Sequence, residues 1–183
     1  MGRWNAAKLD QAKTAICTDG SFDDADAWVE AIAPRGGRTL DVGAGCGRII
    51  KAIAPHCSSI IGVDSSPDMV RHAREYVGED YVILADARGL PFPDDSFDFV
   101  YSVLCLQHLE TKEDVQKALQ EIVRVLKPSG TARLQLSIEP KTGQYRPANA
   151  DEVADMLFNT GMKSAGFEHG LINKHFVWVE VLK

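Results

Sequence analysis

Residues 39–48, TLDVGAGCGR, constrain this chain more than any other stretch. Thr39 to Val42 is a short apolar run holding one acid, Asp41, the pattern of a buried strand that ends at a functional edge. Gly43, Gly45 and Gly47 follow at alternate positions. Ile49 to Ala54 is then apolar at helical spacing and runs to Pro55, a helix stop. The unit is strand, glycine turn, helix. Glycines in such a turn permit positive φ and let a ligand lie against bare backbone, at the carboxyl edge of the strand. A dinucleotide fingerprint needs G-x-G-x-x-G so that a pyrophosphate sits on the helix N-terminus. Here the spacing is G-x-G-x-G, and Arg48 stands where the third glycine would be. Asp41 would repel a nearby diphosphate and would suit an ammonium. Both departures favour a ligand without phosphates, although a turn of this kind can also be a tight connection that binds nothing.

The remaining chain repeats the pattern. Ahead of the turn, Leu9, Ala12 and Ile16 mark a first helix over residues 3–17. Ser21 with Asp24 forms a capping box for a second helix with the stripe Ala25, Trp28, Val29 and Ile32, stopped at Pro34. Trp4 and Trp28 suit core or lid packing. After the turn, Ser59 to Asp64 is a buried strand ending in an acid. Ser66 caps the next helix, Pro67 fits its first turn, and Val70, Ala73 and Val77 form its inner stripe. Tyr81 to Ala85 is a third strand, followed by Asp86, and Phe97 to Val103 a fourth. Thr111 with Asp114 caps a long helix with the stripe Val115, Leu119, Ile122 and Leu126; Pro128 and Gly130 end it. Thr131 to Ser137 is a fifth strand. Asn149 and Glu152 cap a short helix through Phe158, and Ala165 to Ile172 and His175 to Leu182 form a hairpin about Asn173-Lys174. Strands alternating with helices predict an α/β fold with a doubly wound, mostly parallel sheet.

At 183 residues the chain reads as one domain. Its net charge of −6 argues against a broad nucleic-acid footprint. No apolar run reaches transmembrane length, and the N-terminus lacks a secretory apolar region. Cys17, Cys46, Cys57 and Cys105 form no C-x-x-C pair and no metal-ligand spacing, so free thiols in a reducing cytoplasm and no metal site are expected.

Asp41, Asp64 and Asp86 end three successive strands. A ligand with an amino acid end, a ribose and an adenine would satisfy all three. Asp41 faces its ammonium, Asp64 accepts both ribose hydroxyls through its two oxygens, Asp86 accepts the exocyclic amine, and Met69 covers one adenine face. That ligand is S-adenosylmethionine. The motifs LDVGAGCG (40–47), GVDSSPDMV (62–70), LADARGLPFPDDSFDFVYSVLCLQHL (84–109) and EIVRVLKPSG (121–130) resemble, in order and spacing, those of the class I S-adenosylmethionine-dependent methyltransferases of the small-molecule type. The resemblance covers residues 38–137 by motif and the tail by architecture.

The resemblance implies a Rossmann-like, seven-stranded sheet in the order 3-2-1-4-5-7-6, with strand 7 antiparallel. It implies a single methyltransferase domain over 1–183: an N-terminal helical segment (1–36) over the site, a cofactor-binding core (37–137), and a loop, helix and hairpin (138–183). Its cofactor contacts carry over to Gly43, Ala44 and Gly45, to Asp64 and Ser65 at the ribose, and to Asp86 and Ala87 at the adenine. Val103 and Leu104 then lie near the methionine part, with Gln107 and His108 beyond them toward the methyl group. Methyl transfer to an oxygen, nitrogen or carbon of a small-molecule acceptor, leaving S-adenosylhomocysteine, is the activity implied, in a cytoplasmic monomer or homodimer without membrane or nucleic-acid partner.

His108 is the candidate base, because it titrates near neutral pH; a packed loop histidine is the other reading. Tyr145 and Arg146 are candidates for the substrate pocket, with a turn-stabilising role for Tyr145 as the alternative. A nicotinamide-dependent oxidoreductase and a non-catalytic cofactor-binding module are the competing functions. The first is disfavoured by the missing third glycine and the acid at Asp86; the second leaves binding intact and turnover absent.

Overall fold

The computed structural model describes residues 29, 32–138, 142–147, 149–162, 164–169 and 176–183. The expected helix over 3–17, the Ser21–Asp24 box, Trp4, Trp28, Cys17 and the Asn173-Lys174 turn lie outside them. From Arg38 onward the short apolar runs pair and the periodic segments between them coil. The strands are β1 (Arg38–Val42), β2 (Ser59–Asp64), β3 (Val82–Leu84), β4 (Phe97–Ser102), β5 (Leu126–Ser137), β6 (Ser164–His169) and β7 (Phe176–Leu182). They form one seven-stranded sheet in the order β3-β2-β1-β4-β5-β7-β6. β1 to β5 are parallel neighbours, and β7 pairs antiparallel with both β5 and β6. This is the Rossmann-like order, with its antiparallel strand, that the motifs imply.

From Arg38 onward, the helices that cover the sheet among the described residues are α1 (Arg48–Ile53), α2 (Pro67–Val77), α3 (Lys112–Val125) and α4 (Ala150–Phe158). Three begin at caps visible in the sequence. Ser66 Oγ accepts from Met69 N, Thr111 Oγ1 from Asp114 N and Asn149 Oδ1 from Glu152 N. Such caps occupy amide donors that the first turn leaves unpaired. One apolar layer joins Leu40, Val63 and Val100 to Val115, Leu119 and Ile122 of α3 and to Leu157 of α4. The opposite layer joins Ile60, Phe99 and Trp178 to Ile50 and Ile53 of α1 and to Val70 and Ala73 of α2. A parallel sheet covered on both faces explains strands that are apolar throughout rather than alternating. No described helix is long and apolar enough to cross a membrane.

Several boundaries differ from expectation; β4, for one, ends at Ser102 rather than Val103. Tyr81 belongs to a 3-10 turn (Glu79–Tyr81), so β3 is shorter than the apolar run. α3 stops at Val125, and β5 begins at Leu126, five residues before Thr131. Leu126 pairs with Phe97 and Thr131 with Phe99, so the extra residues between them form an irregularity in the strand. Ser129 takes positive φ there, and a proline is tolerated at such a break.

The long loop between β3 and β4 is held against α3 by one side chain. Arg124 donates to the carbonyls of Leu90 and Phe92 and to Asp94, and its guanidinium is forked by Glu121. Glu121 also accepts from Leu90 N. Truncation leaves a half-buried carboxylate and two loop carbonyls without this partner. Arg124→Ala should therefore cost about 2–4 kcal/mol, read as a lowered midpoint in urea with an unchanged slope.

Candidate functional site

The carboxyl ends of β1, β2 and β4 meet at the glycine turn, with that of β3 next to β2. Gly43 has φ of 87°, and its N–H and that of Ala44 both donate to the Val63 carbonyl, at 2.8 and 2.9 Å. A Cβ at position 43 would lie 2.2 Å from Cys105 Cβ. Gly45 has φ of 54° and nothing within 4 Å of where its Cβ would be. Gly47, in the same left-handed region, leads into α1. The first glycine is thus required by the protein itself, whereas the second faces open space beside bare backbone.

Asp64, at the end of β2, ties this turn to α2. Its Oδ2 accepts from Gly45 N and its Oδ1 from Ser66 N, both at 2.9 Å. Burial raises its pKa, while amides of Ser66, Gly45 and Ser65 hold it down. A carboxylate offers about four acceptor positions, so capacity remains beyond these amides. Ser65 is exposed and Met69, in the first turn of α2, is half-buried.

Asp41 is 2% exposed. Burial pushes its carboxyl up to about 8; the Tyr101 hydroxyl beside it opposes the rise and Asp64 adds to it. That hydroxyl, fully buried on β4, makes no hydrogen bond of normal geometry among the described residues. Asp41 and Tyr101 sit opposite each other in adjacent strands. The arrangement is a buried acid beside a buried hydroxyl, a setting in which a cation would favour the ionised carboxylate.

Asp86 follows β3. Its Oδ1 accepts from Arg88 N and Nε, and its Oδ2 from Arg88 Nη2 at 2.6 Å. Arg88 also donates to Asp114 Oδ1 in the first turn of α3. Arg88 holds the Asp86 carboxyl below the usual range. Ala87 is half-buried against the α3 side of the core. Sequence reasoning picked out Asp86 but neither Arg88 nor Asp114.

The segment after β4 closes the site. Ser102 Oγ donates to the Val42 carbonyl, locking β4 to β1. Val103 is buried. Leu104 has φ of 53°, a strained state for leucine, and its N–H donates to Gln135 Oε1 on β5. Cys105 packs on Gly43, and burial pushes its thiol up to about 12, with Asp64, Asp41 and Asp86 all adding to the rise. All three acids are thus near enough to this thiol to act on it electrostatically. A 3-10 turn (Leu106–His108) follows. Gln107 is half-buried, with its carbonyl accepting from Arg146. His108 is exposed, with Nδ1 3.4 Å from Gln144 Nε2. Tyr145 N donates to the Leu109 carbonyl, which brings its loop onto this turn. The Tyr145 hydroxyl donates to Glu152 of α4 at 2.5 Å. Burial first, then Glu152, raises that hydroxyl's pKa. Gln135 is a polar residue that sequence reasoning passed over. The signal was present: Arg133, Gln135 and Ser137 alternate on β5 and all are buried.

Residues 40–134 match the family model described as a methyltransferase domain. The chain is 30% identical over 173 residues to the Bacillus subtilis protein YqeM, covering 89% of this chain and 69% of that one. It is 38% identical over 120 residues to the ubiquinone/menaquinone biosynthesis C-methyltransferase UbiE of Geobacter sulfurreducens, covering 61% of this chain and 46% of that one. Across the first three curated relatives the chain spans between 38% and 69% of their length. Among solved structures, phosphoethanolamine N-methyltransferase 2 of Haemonchus contortus, crystallised with S-adenosyl-L-methionine, superposes with a TM-score of 0.77 at 18% identity. That match covers 100% of this chain and 58% of that one, a likeness of fold.

Proposed function

The chain belongs to the class I S-adenosylmethionine-dependent methyltransferases, and on that premise we propose that it transfers a methyl group to an oxygen, nitrogen or carbon of a small-molecule acceptor. The observation that carries the cofactor assignment is the bare turn at Gly45, flanked by Asp64, whose carboxylate keeps acceptor capacity, and by the buried carboxyl of Asp41. When bound, the cofactor supplies a methyl group already activated on a sulfonium. In this reading Gly43, Ala44 and Gly45 receive its backbone, Asp64 and Ser65 the ribose, and Met69, Asp86 and Ala87 the adenine. Asp41 balances its ammonium. Val103, Leu104 and Gln107 line the methionine end.

Orientation is the main work left to the protein, because the leaving group needs no activation. The left-handed Leu104, held by Gln135, fixes the chain where the methyl end lies. His108 is the base for an acceptor that must lose a proton, and Tyr145 borders the acceptor pocket through its ring. The acidic net charge and the quinone-pathway relative support a small acceptor. Incubation with methyl-labelled cofactor and separated metabolite and RNA fractions tests this. Label in the metabolite fraction is expected; label confined to RNA would overturn the choice of acceptor.

The buried Asp41 also sets a pH dependence. Below about 8 the free protein holds this proton, whereas an ammonium beside the carboxyl favours the ionised form. Binding then releases a proton, so affinity for S-adenosylhomocysteine should rise with pH between 6 and 8, by at most about tenfold per unit. Asp41→Asn should flatten that slope. Titrations at three pH values check it, and a flat wild-type profile would contradict it.

A further inference from the structure

The adenine end of the site contains a device that the family reading does not include. Asp86 Oδ1 receives two donors, the amide and Nε of Arg88, while Oδ2 receives one, Nη2. A carboxylate oxygen offers about two acceptor positions, so Oδ1 is filled and Oδ2 keeps one. The fork also fixes the carboxylate plane, since a bidentate guanidinium allows little rotation. Arg88 is in turn held from its far side by Asp114 Oδ1 at 2.8 Å, and Asp114 is anchored at the start of α3 by Thr111. Arg88 and Asp114 are mostly shielded, with 26% and 22% of their side chains exposed, whereas Asp86 keeps 39%. The most accessible member of the triad is the acceptor.

We propose that Arg88 is a positioning residue for nucleobase selection: it leaves Asp86 one fixed acceptor position, on Oδ2, for the amino group of a 6-aminopurine. This rests on the reading that Asp86 faces the adenine. Without the fork the carboxylate turns freely, exchanges its partners with water, and recognises the amine less well. A lysine at 88 keeps the charge and loses the fork, because an ammonium is a point donor.

The test is calorimetric titration of the full chain with S-adenosylhomocysteine and with its counterpart in which the 6-amino group is replaced by hydrogen. The ratio of the two affinities reports the amine contact alone, and a purely structural role for Arg88 would leave it unchanged. The wild type should prefer the amino compound by roughly ten- to a hundredfold, the range of a charge-assisted hydrogen bond. Asp86→Ala should abolish the preference. Arg88→Ala and Arg88→Lys should each narrow it to about threefold or less; the lysine variant carries the test if the alanine variant does not fold. A preference kept by the Arg88 variants but lost in Asp86→Ala would overturn the role of Arg88 alone. A preference kept in Asp86→Ala would overturn the placement of the adenine and the inference with it.

Discussion

Replacement of Asp64 by alanine should reduce affinity for S-adenosylhomocysteine by about a hundredfold or more while leaving a folded protein. Two charge-assisted hydrogen bonds to a ribose diol are each worth about 1.5–3 kcal/mol, so losing both predicts roughly 10²- to 10⁴-fold. The same side chain accepts from Gly45 N and Ser66 N. Its removal therefore loosens the turn against α2. That cost is partly offset, because the structure no longer buries a carboxylate whose pKa burial raises. A net loss of about 1–2 kcal/mol of stability is expected, small beside the loss of binding. Titration calorimetry with a parallel thermal melt separates the two, and unchanged affinity in a folded variant would remove Asp64 from the site.

The second large effect lies two glycines apart in one turn. Gly43→Ala should destabilise by about 2–4 kcal/mol, combining the cost of a left-handed alanine with overpacking. The new Cβ would stand 2.2 Å from Cys105 Cβ and 2.3 Å from its sulfur, so Cys105 or the turn must shift. In a chain of this length that lowers the melting temperature by roughly 5–15 °C. Gly45→Ala has the same backbone cost of about 1 kcal/mol but no clash. It should melt close to the wild type and bind the cofactor at least about tenfold more weakly, because its methyl group fills the space left beside the bare backbone. Equal melting temperatures for the two variants would contradict the packing argument.

What the sequence made visible was local. The caps at Ser66, Thr111 and Asn149 each use a partner three residues on, and the stripe of α3 is buried as its spacing implies. The strand order came from the resemblance of the motifs, since spacing alone fixes no order. The start of β5 was hidden because Pro128 and Gly130 signal a helix end equally well, and only pairing of Leu126 with the distant Phe97 makes the segment a strand. In the site, the three acids and the glycines were visible as residues at strand ends. Their settings were not. Asp114 is 26 positions from Arg88, Gln135 reaches Leu104 from the neighbouring strand, 31 positions away, and nothing about leucine announces positive φ. Tyr145 shows the limit most clearly: a candidate pocket aromatic by position, it spends its hydroxyl on Glu152.

If Asp41, Asp64, Asp86 and the bare glycine turn hold S-adenosylmethionine, its product should bind to the same groups. The most direct measurement is a calorimetric titration of the purified chain with S-adenosylhomocysteine. Micromolar binding at one site per chain, lost in Asp64→Ala, is expected. No detectable heat at several temperatures, from protein shown by its melt to be folded, would contradict it.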